Sequence, residues 1–136
     1  MLGQAFWLTR EEHYAAEFRD QVLNWIENNP CKYGVNWSCA MDVGIRAVNW
    51  IWGFYFFRQS DTLDDAFLKD FLRSLFLHAR FIRANLEYRT ATVRGEDRRL
   101  NSNHYLSNLI GLLYIGLMFP ELDDAGHAAR RIVYQG

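Results

Sequence analysis

The stretch "VNWSCAMDVGIRAVNWIWGFYFFRQ", residues 35–59, limits the fold more than any other. Met41, Ile45, Val48, Trp52 and Tyr55 recur at steps of three and four, and Asp42, Arg46, Asn49 and Gly53 form a second row at the same steps. Those steps mark neighbours on one face of an α-helix. A helix apolar on most sides with one narrow polar stripe belongs at the centre of a helical protein. It is no membrane span, because Arg46 and Asn49 interrupt it and a span needs about 20 apolar residues. Asp42 and Arg46 stand four apart, the spacing of a helical ion pair.

The rest of the chain carries the same period. Thr9 with Glu12 fits a capping box and predicts a helix from about Thr9, with Tyr14, Phe18, Val22 and Trp25 or Ile26 as its stripe and Pro30 as its end. Thr62 with Asp65 predicts a second start, and a helix from Leu63 to about Leu86 whose apolar row is Phe67, Phe71, Leu75, Ala79, Ile82 and Leu86. "EYRTATVRGEDRRLNSN" has no helical stripe and reads as a loop, of a length that is often functional. A greasy helix follows, stopped at Phe119-Pro120, and a weakly patterned one covers Leu122 to Tyr134. The expectation is an all-α protein of five helices without strands, one domain over residues 1–136.

Half of the 136 residues are hydrophobic, enough for a core. The net charge of -1 gives no global field toward nucleic acid or an anionic membrane, so neither is expected as a partner. Basic residues cluster only locally, at Arg94, Arg98 and Arg99 and at Arg130 and Arg131. Cys31 and Cys39, eight residues apart, read as two thiols in preference to a disulfide across the intervening loop, whose geometry a sequence does not test. With no Cys-x-x-Cys and no His close by in sequence, no metal is expected. No phosphate loop or other cofactor motif appears, so no cofactor is expected. "MLGQAFWLTREE" lacks the basic start and the apolar run of a signal peptide, which leaves the site of action open.

Three groups of residues have chemical potential. Asn101, Ser102, Asn103 and His104 crowd the start of the greasy helix. Asn103 there is either a plain N-cap or, with His104, part of a polar site where the helix dipole favours an anion. Asn36, Trp37, Arg46 and Asn49 are either a self-satisfied core stripe or the wall of a cleft in which an indole stacks on a sugar. His78 sits beside the apolar face of its helix, where a structural role is the ordinary one. Glu87 falls at the end of that helix, where a carboxylate opposes the dipole and needs a partner.

"GVNWSCAMDVGIRAVNWIWGFYFF", "LHARFIRANLEYR" and "NSNHYLSNLIGLLYIGLMFPE" occur in the order found in heparinase II/III-like proteins, and the resemblance spans roughly Gly34 to Glu121. It implies an α/α toroid of helical hairpins, here incomplete, with the family's β-sandwich domain absent. It also implies an acidic polysaccharide as partner and β-elimination at a uronic acid. Asn103 and His104 match the family's carboxylate-neutralising pair and are the implied catalytic residues. From the residues themselves, Asn36, Trp37, Arg46, Asn49, His78 and Glu87 are the candidate substrate-binding residues. The family's catalytic Tyr position falls beyond Gly136, and neither Tyr105 nor Tyr114 matches it. The chain alone is therefore expected to be inactive. A missing part of the toroid implies an exposed apolar face covered by a homo-oligomer or domain swap. A non-catalytic helical module for glycan binding or assembly is the alternative. A periplasmic or extracellular place follows only if the parent carries a leader.

Overall fold

The computed structural model describes residues 2–93, 95–100 and 102–122. The helix expected over Leu122 to Tyr134 falls, from residue 123 on, outside the described residues, as do Arg94, Asn101, Arg130 and Arg131. Among the described residues, five α-helices carry the fold: α1 (Leu2–Thr9), α2 (His13–Asn28), α3 (Ala40–Phe57), α4 (Asp65–Ala84) and α5 (Asn103–Met118). A 3-10 turn, Val35–Trp37, leads into α3. The fold is all-α in its core, and the packing is that of part of an α/α toroid. No described helix is long and apolar enough to cross a membrane.

The segment expected to be a loop holds an antiparallel hairpin instead, β1 (Arg89–Val93) and β2 (Glu96–Leu100), with Arg89 opposite Leu100 and Val93 opposite Glu96. Its signal is a period of two in "RTATV", with β-branched residues, which a search for helical stripes passes over. Gly95 turns the hairpin at φ 82°, a left-handed value that suits glycine.

Helix starts also differ from the expected caps. Thr9 closes α1 rather than opening α2: its hydroxyl donates to the Ala5 carbonyl at 3.0 Å and accepts the Glu11 N–H at 3.3 Å. Glu12 reaches across the structure, where its carboxylate accepts from the hydroxyls of Ser60 and Thr62. Asp64, not Thr62, caps α4 by accepting the Phe67 N–H at 2.8 Å. Ser102, not Asn103, caps α5 by accepting the Tyr105 N–H at 3.2 Å, so Asn103 is the first helical residue.

The core lies where α3, α4 and α5 meet. The expected row of α4 is buried from Phe67 through Phe71, Leu75 and Ala79 to Ile82, and Ile51, Phe57 and Ile115 join it. On α3 the inward row is Val43, Ala47 and Ile51, while Ile45 and Trp52 are about half exposed. The row read from the sequence, Met41, Ile45, Val48, Trp52 and Tyr55, is thus not the buried one, because an all-round apolar helix does not declare its inner side by periodicity.

Two glycines set how closely α3 and α5 approach. A Cβ on Gly44 would stand 2.7 Å from the Ser107 carbonyl oxygen, and one on Gly111 would stand 2.7 Å from Gly44 Cα. The helices therefore meet backbone to backbone, which only small residues allow. This contact brings the first turns of both helices side by side.

Candidate functional site

Glu87 lies past the end of α4, between the starts of α3 and α5, and not on a helix end that opposes it. Asn108, buried on α5, grips it at two points: its Oδ1 accepts the Glu87 N–H at 2.8 Å and its Nδ2 donates to Glu87 Oε2 at 3.2 Å. The same Oε2 accepts the Met41 N–H, at the first turn of α3, at 2.7 Å. Cys39 is the N-cap residue of α3 but makes no side-chain cap bond. The Glu87 carboxylate thus serves an orphan donor of the α3 N-terminus, where the helix dipole favours negative charge.

The other oxygen faces two reactive side chains. Glu87 Oε1 lies 3.2 Å from His104 Nδ1 and 3.6 Å from Cys39 Sγ. The Ser102 hydroxyl donates to the Glu87 carbonyl at 3.4 Å, tying the α5 cap to the same residue. Burial alone pushes the Glu87 carboxyl up, but hydrogen bonds from Asn108, His104, the Met41 N–H and Cys39 outweigh it and hold it below the usual carboxylate value. The His104 and Glu87 side chains keep 43% and 30% of their surface exposed, so the cluster is open to solvent.

Four of the other candidates gather elsewhere, in an aromatic knot. The His78 ring is fully buried, 4.8 Å from the Trp37 ring and 5.2 Å from that of Trp50. Its Nδ1 faces the Ser74 carbonyl at 2.7 Å and so carries the hydrogen, which leaves Nε2 to accept from Arg46 Nε at 2.9 Å. Arg46 lies 4.0 Å above the Trp25 ring and donates to the Asn36 carbonyl at 3.1 Å, rather than pairing with Asp42. Burial pushes its guanidinium down to about 10, against the charge of Asp42. Trp37 is buried and donates Nε1–H to the Asn29 carbonyl at 3.0 Å. Asn36 is exposed and bonds Asn29. Asn49 is exposed on α3 and belongs to neither group, and Asn103 is exposed at the first position of α5 beside His104.

The sequence reading singled out Glu87 and His104 but not Cys39 or Asn108. Glu87 is 48 residues from Cys39 and 21 from Asn108, so no local motif joins them. The one local sign was Asn108 itself, a polar residue inside a greasy helix. A concavity of about 200 Å³ is lined by Trp25, Trp37, Cys31, Asp70 and Arg73 among others, not by Glu87 or His104. Cys31 and Cys39 are free thiols, as the sequence suggested.

The described helices pack as part of an α/α toroid, which defines a helical toroid domain. The family described as "Heparinase II/III N-terminus" matches residues 1–133, and the chain belongs to it. No curated protein and no solved structure matches the chain.

The knot makes the fold sensitive to acid. Burial pushes His78 down to about 3 from its ordinary 6.5, with the Arg46 charge adding to this and the Ser74 carbonyl opposing it. The unfolded chain therefore binds a proton below about pH 6.5 that the folded chain refuses, and stability falls as pH falls. The Glu87 contribution, by contrast, begins to be lost only near its ordinary value of 4.5. The thermal midpoint is expected to drop between about pH 7 and about pH 5, and His78→Gln, though less stable at about pH 7, is expected to lose most of that drop. An equal drop in both proteins would contradict the assignment.

Proposed function

We propose that this chain is the helical wall of a heparinase II/III-type lyase that takes an anionic, uronate-containing polysaccharide, and that Asn103 and His104 act on the uronate carboxylate. The observation that carries the reading is the start of α5: Asn103 is exposed, and His104 is anchored through Nδ1 by Glu87 with its ring partly open to solvent. Family membership over residues 1–133 supports it.

The chemistry explains why such a pair is needed. β-Elimination removes the C5 proton next to a charged carboxylate, then expels the sugar linked at C4. The proton is weakly acidic because its removal spreads further negative charge onto that carboxylate. Donors fixed at the carboxylate oxygens lower this cost most where charge builds up. With its proton on Nε2, the His104 ring offers an N–H, and Asn103 offers amide N–H groups. A tyrosine supplies the base in the family, and neither Tyr105 nor Tyr114 matches its position. The carboxylate-neutralising half of the reaction is therefore what these residues provide.

In the lyase that contains this chain, Asn103→Ala is expected to lower kcat by about a hundredfold while changing KM little. The readout is the ultraviolet absorbance of the unsaturated uronate product, from heparan sulfate or alginate. A rate within about threefold of the unsubstituted enzyme would contradict the role. Binding of these polymers without any product would favour the non-catalytic module instead.

The same reading has an apolar outer face covered by a second copy, as a homo-oligomer or domain swap. Leu106, Ile110 and Leu117 are exposed along α5, and exposed Trp52 of α3 lies 6.3 Å from the Tyr114 ring of α5. Contiguous apolar surface of this kind favours association. Sedimentation is expected to give a dimer or larger species, and a monomer at every concentration would count against it.

A further inference from the structure

Cys39, Glu87 and His104 place one sulfur, one oxygen and one nitrogen within 4.8 Å of one another. The separations are 3.6 Å from Sγ to Oε1, 4.0 Å from Sγ to Nδ1 and 3.2 Å from Nδ1 to Oε1. Zinc bonded at about 2.3 Å to sulfur and about 2.0–2.1 Å to nitrogen and oxygen keeps its tetrahedral ligands about 3.3–3.6 Å apart. The three side chains thus stand within a few tenths of an ångström of that tetrahedron's edges. We propose that Cys39 Sγ, Glu87 Oε1 and His104 Nδ1 form a site for a borderline-soft divalent cation, zinc or its cobalt(II) analogue, with the fourth position open to solvent.

The surroundings favour this use of the three residues. Glu87 Oε2 is held by the Met41 N–H at 2.7 Å and by Asn108 Nδ2 at 3.2 Å, which fixes the carboxylate and turns Oε1 toward the sulfur and the imidazole. Ligands oriented by outer hydrogen bonds in this way are the rule at metal centres. Cys39 occupies the N-cap of α3, a position where Ser, Thr, Asp or Asn would bond a helix N–H, yet its side chain makes no cap bond. A thiol is a weak hydrogen-bond donor and gains little from Glu87 in that role. Thiolate with imidazole and carboxylate selects zinc over magnesium or calcium, which want oxygen alone.

Binding balances simply. The Cys39 thiol gives its proton to solvent, and His104 keeps one N–H by carrying it on Nε2 while Nδ1 takes the metal. Two anionic ligands then neutralise the doubly charged ion. His104 Nε2–H remains a donor, so the site is compatible with the proposed role of that residue and does not rest on it.

The test is titration of metal-free protein with cobalt(II) chloride. One equivalent is expected to give a thiolate-to-cobalt charge-transfer band in the near ultraviolet and the strong visible bands of a tetrahedral ion, both displaced by zinc. Cys39→Ser is expected to lose the charge-transfer band and Cys31→Ser to keep it. Absence of the band, its survival in Cys39→Ser, or its loss in Cys31→Ser would overturn the proposal. Alkylation of the unsubstituted protein gives a second reading: zinc is expected to slow modification of Cys39 but not of Cys31. Equal rates at Cys39 with and without zinc would also overturn it.

Discussion

The crossing of α3 and α5 at Gly44 and Gly111 is the constraint on which the rest depends. A Cβ on Gly111 would stand 2.7 Å from Gly44 Cα, a backbone contact that no side-chain rotation relieves, and 3.2 Å from Ile82 Cδ1. Glycine inside a helix costs about 1 kcal/mol relative to alanine, and here two helices accept that cost at one point. The return is proximity. Asn108 lies three residues before Gly111, close enough to α3 that it shares Glu87 Oε2 with the Met41 N–H. Without the close crossing, one carboxylate could not serve both helix starts.

Two polar groups flank this crossing and divide the work. Arg46, His78, Trp25, Trp37 and Trp50 form a closed set whose hydrogen bonds end on one another or on backbone carbonyls. It fixes the turn before α3 to α2 and α4, and buries a neutral histidine to do so. The Glu87 group is of the opposite kind. One of its oxygens is satisfied from inside by Asn108 and Met41, and the other faces Cys39 and a partly exposed His104. A carboxylate fixed on its inner side and open on its outer side suits positioning a ligand-facing imidazole, which the closed knot does not.

The sequence showed α2, α3, α4 and α5 but not their exact ends, and it did not show α1 (Leu2–Thr9). The period of α4 was plain because one side of that helix is apolar and the other charged. The caps were misread at Thr9, Thr62 and Asn103, because neighbouring residues of the same capping chemistry compete and only geometry chooses Asp64 and Ser102. The hairpin was missed because its signal has period two inside a polar segment. Asn103, His104 and Glu87 drew attention as polar residues at helix ends. The company Glu87 keeps was not legible: Cys39 and His104 are 65 residues apart and meet only through tertiary packing. Asn36, Trp37, Arg46 and Asn49 read equally as a cleft wall or a self-satisfied stripe, because a buried polar knot and a binding surface use the same residue types.

The substitution Gly111→Ala tests the central claim most directly. On helix propensity alone it should stabilise the protein by up to about 1 kcal/mol. Backbone collision with Gly44 should instead cost about 1–3 kcal/mol in urea unfolding, as overpacking does in closed cores. It should also shift the Asn108 side-chain amide resonances as the grip on Glu87 loosens. A variant that gains stability with those resonances unchanged would show that the crossing is not what holds the two helix starts together.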